Sequence, residues 1–142
     1  MFKMELDLTS LEKAVYRLSE AVNYSHSDMA KKDEPLFQQF RNSVIQCFEF
    51  TYELCWKMLK RRLELDSPSP AIVDEFNFND LVREGAIRGI VQDPARWINY
   101  RKFRNLTSHA YNEKMAQEVY EIALSFLDDA RQLLNSLKEK NR

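Results

Sequence analysis

LFQQFRNSVIQCFEFTYELCWKMLKRRL, residues Leu36 to Leu63, carries Leu36, Phe37, Phe40, Val44, Phe48, Tyr52, Cys55, Leu59 and Leu63 on one stripe at spacings mostly of three and four, with no Gly or Pro to interrupt it. An apolar period of 3.6 kept up for this long is the mark of an amphipathic helix. Pro35 suits the first turn of such a helix, where its missing N–H costs nothing. The spacing predicts one long helix over about 35–65.

The same period recurs on both sides. Thr9-Ser10-Leu11-Glu12 has the S/T-x-x-E form of a capping box, and Leu11, Val15, Leu18 and Val22 follow it, predicting a first helix over about 10–25. His26-Ser27-Asp28 and Lys31-Lys32-Asp33 break the pattern with polar residues. Ser67-Pro68-Ser69-Pro70 is the strongest breaker in the chain and opens a loop running to Asn79, in which Ile72, Val73, Phe76 and Phe78 suggest that it packs down. Asp80 to Ile90 reads as a shorter helix that Gly89 ends, and Asp93-Pro94 opens another through Trp97, Tyr100 and Phe103, weakened at Thr107-Ser108. Met115, Val119, Ile122, Ala123, Phe126, Ala130, Leu133 and Leu137 predict a last helix over about 113–139. With no convincing period-2 strand, the expected fold is all-α, an antiparallel up-and-down bundle of four to five helices forming a single domain over 1–142.

Composition narrows the chemistry. A chain of 142 residues and 16.9 kDa has room for one domain with a real core. Its 21 Lys+Arg against 22 Asp+Glu leave no global field for nucleic acid, so any such contact must come from a local patch. Only two glycines, Gly85 and Gly89, exclude the Gly-rich loops that press backbone N–H groups against phosphate. Cys47 and Cys55 on one helix stand about 12 Å apart by helical rise, too far for a disulfide. Zinc is disfavoured too, since there is no CxxC and neither His26 nor His109 has a ligand-spaced partner, so no metal or other cofactor is expected. The chain shows no apolar leader and no run of 18 or more apolar residues, which points away from membranes and toward a reducing cytoplasm.

Two clusters admit a plain structural reading beside a functional one. Lys57, Lys60, Arg61 and Arg62 complement the dipole near a helix C-terminus as readily as they would hold a partner's phosphates. Glu49 and Glu53, i and i+4, form either a paired-carboxylate site or, with Lys57 one further step along, an ordinary Glu53–Lys57 ion pair. The stretch Arg96 to Tyr111 differs, because Arg96, Arg101, Lys102, Arg104 and His109 lie among aromatics with no acid between them. Cations hold phosphate, an imidazole moves protons near neutrality, and Asn and Tyr add neutral donors, which suits phosphodiester or nucleotide chemistry without a metal. On an unbroken helix Arg104 and His109 point about 140° apart, so a shared site needs a break between them, and Thr107-Ser108 is the place for it.

Arg104, four residues, His109-Ala110-Tyr111 matches the R-x4–6-H-x-Y signature of the HEPN superfamily. Together with Ser43 to Lys57 in the long second helix, the chain over nearly its whole length resembles the stand-alone HEPN proteins described as nucleotidyltransferase substrate-binding proteins. The resemblance implies a helical bundle that pairs as a homodimer and forms a complex with a minimal nucleotidyltransferase encoded beside it. It also implies a metal-independent ribonuclease of toxin–antitoxin type, or alternatively a non-catalytic subunit that binds a nucleotide or substrate for the nucleotidyltransferase. By position, Arg104 would hold the scissile phosphate, His109 would transfer protons and Asn105 would orient the polar network. Tyr111 would line the site or accept AMP, against the plain reading of a tyrosine whose hydrogen-bonded hydroxyl caps the bundle; Arg101, Lys102 and Ser108 complete the substrate-binding set.

Overall fold

The computed structural model describes residues 5–142. Among these there are seven α-helices, one 3₁₀ turn and no strand: α1 (Thr9–Ser25), α2 (Asp28–Lys32), α3 (Glu34–Asp66), α4 (Pro70–Asp74), α5 (Phe78–Ile87), α6 (Pro94–Asn105), the turn Thr107–His109, and α7 (Glu113–Lys140). The all-α reading holds, and the two extra helices are single short turns inside segments expected to be irregular. Ser27 nucleates α2 by accepting a hydrogen bond from the Ala30 N–H at 3.2 Å, and Pro70 opens α4.

Two starts differ from expectation. α1 has no capping box: Leu8 is its N-cap and offers no side-chain bond, while the Asp7 carboxylate just upstream accepts from the Thr9 N–H at 3.0 Å. α5 begins before Asp80, because Asn77 and Asp80 form a reciprocal capping box, with the Asp80 N–H donating to Asn77 at 2.8 Å and the Asn77 N–H to Asp80 at 3.4 Å. α5 also ends earlier, at Ile87. Gly89 takes φ +75°, the left-handed value that lets the chain turn back, and the Ile90 and Val91 N–H groups then bond the Gly85 carbonyl at 2.8 and 3.1 Å.

The main helices α1, α3, α6 and α7 alternate in direction, and their cross-links show it. Thr51 in α3 donates to the Ala14 carbonyl of α1 at 3.3 Å, and Lys138 near the end of α7 lies 3.3 Å from Glu12 near the start of α1. α3 and α7 run the same way: Arg41 meets Glu113 at one end, and Arg62 donates to Asn141 at 3.0 Å at the other. Phe126 is fully buried between them, with the rings of Phe48, Tyr100 and Trp97 packed edge-on against it at 5.0, 5.2 and 5.6 Å.

The end of the bundle where α7 begins is stapled by a buried cation. Arg41 is 3% exposed; its guanidinium grips both oxygens of Glu113 at 2.7 Å and Gln117 at 3.1 Å and lies over the Phe37 ring. The same guanidinium holds the Glu113 carboxyl below the usual carboxylate range, so the staple is complete at neutral pH and is lost as acid protonates Glu113. It fixes the first turn of α7. Among the described residues no helix is long and apolar enough to cross a membrane.

Candidate functional site

α6 buries Trp97 and Tyr100, and Arg101 and Arg104, each four residues further on, follow them on the same side of the helix. Asp93 caps it by accepting from the Arg96 N–H at 3.3 Å, and Trp97 and Tyr100 point into the core. Burial pushes the Tyr100 hydroxyl well above its ordinary pKa, so it stays protonated and donates to Asp129 of α7. Arg96 joins the same carboxylate, with its Nε 3.0 Å from Asp129. That arginine is therefore spent on anchoring α6.

The remaining cations divide by helix position. Arg101 lays its guanidinium 4.8 Å over the Phe78 ring, Lys102 sits 5.7 Å over Phe103, and Arg104 brings Nε within 3.3 Å of Glu53 on α3. Glu53 consequently does not serve Lys57; one of its oxygens faces Arg104 and the other accepts from the Trp56 indole at 3.1 Å, while Lys57 lies over that indole. The expected Glu53–Lys57 pair is overturned because Arg104 arrives from α6 on the side of α3 where Glu53 projects. The basic turn is likewise dispersed, with Lys60 paired to Asp74 and Arg62 bonded to Asp66 and Asn141.

The helix break needed between Arg104 and His109 is present. α6 stops at Asn105, and the chain tightens into the 3₁₀ turn Thr107–His109. Buried Thr107 donates its hydroxyl to the Arg104 carbonyl at 2.9 Å, closing the helix end with a side chain. Ser108 and His109 are exposed on this turn, and Tyr111 follows at 88% exposure, its ring 6.4 Å from that of His109. No hydrogen bond of the Tyr111 hydroxyl occurs among the described residues, so it does not cap the bundle. That task falls to Asn112, whose side chain accepts from the Met115 N–H at 3.2 Å at the start of α7.

The predicted residues thus gather in two neighbouring hollows. Arg101 and Asn105 line a cavity of about 290 Å³ with Glu53, Trp56 and Phe78, whereas His109 and Tyr111 line a shallower one of about 340 Å³ with Glu118. Arg104 faces Glu53 at the edge of the first and starts the turn that leads to the second. Its Nε is buried without an aligned hydrogen bond, and Nη1 reaches only Thr107, at 3.5 Å. The contact with Glu53 is therefore one of charge, and the guanidinium fork keeps donors for an incoming oxyanion. Arg104 itself, Ser108 and Lys102 line neither hollow. Sequence reasoning missed Trp56 and Phe78, whose one signal was aromatic residues beside the polar edge of α3 and in a segment expected to pack down.

The family described as nucleotidyltransferase substrate binding protein like matches residues 6–139. A relative from Haemophilus influenzae named "Probable ribonuclease HepT" is 33% identical over 144 residues, which span 100% of this chain and 99% of the relative. A solved Haemophilus influenzae structure, described as revealing the fold of a substrate binding domain of a nucleotidyltransferase, superposes with a TM-score of 0.87 at 32% identity, covering 93% of this chain and 99% of that one. On these matches the chain belongs to the nucleotidyltransferase substrate binding protein like family, the HEPN-type group that its R-x4-H-x-Y motif resembles.

Proposed function

We propose that this protein is a metal-independent endoribonuclease that works as a homodimer, and that a minimal nucleotidyltransferase encoded beside it is its partner. The observation that carries the reading is the Arg104 fork, left with free donors beside the turn that presents His109. In this mechanism an imidazole takes the proton of a ribose 2′-OH, and the 2′-oxygen attacks the adjacent phosphorus. Arg104 stabilises the charge on the phosphoryl oxygens, the bond to the 5′-oxygen breaks, and a second imidazole protonates that oxygen. The products are a 2′,3′-cyclic phosphate and a 5′-hydroxyl. Each chain supplies one such His, so the acid and the base come from two copies across an isologous interface. The relative named "Probable ribonuclease HepT" supports the activity, and the exposure of the turn leaves it free to meet a second copy.

The purified chain should cleave single-stranded RNA in EDTA and leave 2′,3′-cyclic ends. Light scattering should give twice the chain mass at micromolar concentration; a monomer would remove the two-copy site.

The alternative is a subunit that holds a nucleotide or other substrate for the nucleotidyltransferase, and the 290 Å³ cavity beside Arg104 favours it, as do the family description and the nucleotidyltransferase substrate-binding fold of the superposed structure. Tyr111 connects the two readings. Its free, exposed hydroxyl two residues past His109 suits it to accept AMP from the partner, placing an anion beside Arg104 and closing the site in the manner of a toxin neutralised by its antitoxin. Incubation with the neighbouring nucleotidyltransferase, ATP and Mg²⁺ should add one or more AMP units by intact mass, and Tyr111→Phe should abolish the gain. A stable complex with no gain in mass would leave only the substrate-binding role.

A further inference from the structure

The cavity between α3, α5 and α6 is not needed for in-line cleavage, and its walls have a chemistry of their own. Trp56 projects from α3, Phe78 from the first turn of α5 and Arg101 from α6, and the Arg101 guanidinium already stacks on Phe78 at 4.8 Å. Flat π surfaces and a planar cation are what a heteroaromatic ring stacks on, whatever its hydrogen-bonding edge. At about 290 Å³ the space lies at the small end of the range for ligand pockets, roughly 300–1,000 Å³, and suits one ring system.

Its position gives the ring a neighbour. Glu53 lines the cavity and also holds Arg104 by charge, and Asn105, the residue after Arg104, lines it as well. A phosphate gripped by Arg104 therefore has its own nucleoside within reach of the cavity. Asn105 has no hydrogen-bond partner for its side chain among the described residues, so its amide is available to a base edge.

We infer that this cavity is a base-binding subsite, holding the nucleobase of the nucleotide whose phosphate Arg104 grips, with Phe78 and Arg101 as its stacking plate, Trp56 as a second wall and Asn105 as an edge donor and acceptor. The inference rests on the phosphate-holding role proposed for Arg104 but not on cleavage itself. The shared chemistry is a nucleoside monophosphate, supplied either by an RNA strand or as a free nucleotide.

Calorimetric titration of the full chain with 5′-AMP, 5′-GMP, 5′-CMP, 5′-UMP and the base-free ribose 5-phosphate tests it. At least one nucleotide should bind about tenfold or more tighter than ribose 5-phosphate, in line with the stacking contribution of one base. Arg101→Lys keeps the charge but loses the plane, and Phe78→Leu keeps an apolar side chain but loses the ring. Both should shrink that ratio several-fold. Arg101 is exposed, so its variant stays folded even if Phe78→Leu does not. A second arm uses a single-stranded RNA with one abasic residue beside the scissile bond, where cleavage should slow if the source is RNA. Equal affinity with and without the base, or an unchanged ratio in Arg101→Lys, overturns the subsite. Base-dependent binding without RNA cleavage upholds the subsite for a free nucleotide and removes the ribonuclease reading; RNA cleavage indifferent to the missing base, together with equal affinity with and without the base, upholds the ribonuclease and overturns the subsite.

Discussion

An Arg104→Ala chain is expected to cleave single-stranded RNA more slowly than the parent by about 10²-fold or more, and His109→Ala by a comparable factor, as befits loss of an electrostatic or a proton-transferring group. The two losses have different origins. Removing Arg104 takes away the fork that would meet charge on the phosphoryl oxygens, and it also leaves Glu53 facing the vacated space with its own negative charge. Arg104→Lys should fall between, since an ammonium supplies charge without the paired donors. Removing His109 leaves phosphate binding intact and stops the proton movement, so RNA affinity should survive in His109→Ala and drop in Arg104→Ala. Stability should change little in either variant, because the Arg104–Glu53 pair is partly exposed and His109 lies on the surface. Initial rates on a labelled oligonucleotide in EDTA, paired with thermal melts, give both quantities. If both variants cut as fast as the parent, the activity lies in other residues.

The largest effect on stability should come from Phe126→Ala, at about 3–5 kcal/mol. Phe126 is fully buried where α3, α6 and α7 meet, and its ring is ringed by Phe48, Trp97 and Tyr100. Truncation removes three edge-on aromatic contacts as well as apolar burial, and rings tied into three helices cannot easily collapse into the gap. Against a total of about 5–15 kcal/mol for a domain, this removes a large share. Urea unfolding followed by Trp fluorescence measures it, and Phe50→Ala is the control, since that ring is 62% exposed and should cost no more than about 0.5 kcal/mol. Equal midpoints for the two variants would show that the core is not organised around Phe126.

Legibility from sequence followed the reach of the interactions. The long helices α3 and α7 came within a residue or two of their observed bounds, because a stripe repeated through many turns leaves no other face to bury. The single-turn helices α2 and α4 were invisible, as five residues hold too little periodicity to stand out. At the candidate site, the break after Arg104 was readable from Thr107-Ser108, a local matter. The Arg104–Glu53 contact was not, since it joins residues on helices separated by α4 and α5. Local spacing instead favoured Lys57 for Glu53, and tertiary approach overrode it.

The 3₁₀ turn between α6 and α7 divides the motif between two levels of rigidity. Arg104 belongs to a helix whose rings are locked into the core, so its position is lost only when much of the bundle unfolds. His109 and Tyr111 sit on a short surface segment closed by a few backbone bonds, from Leu106 to Asn112, and such segments open at a small fraction of the global free energy. Under the proposed mechanism, phosphate grip and proton transfer should therefore be separable by heat or mild denaturant: amides of the turn are expected to exchange with solvent long before those of α6, and cleavage should fail while the fold, and anion binding at Arg104, persist.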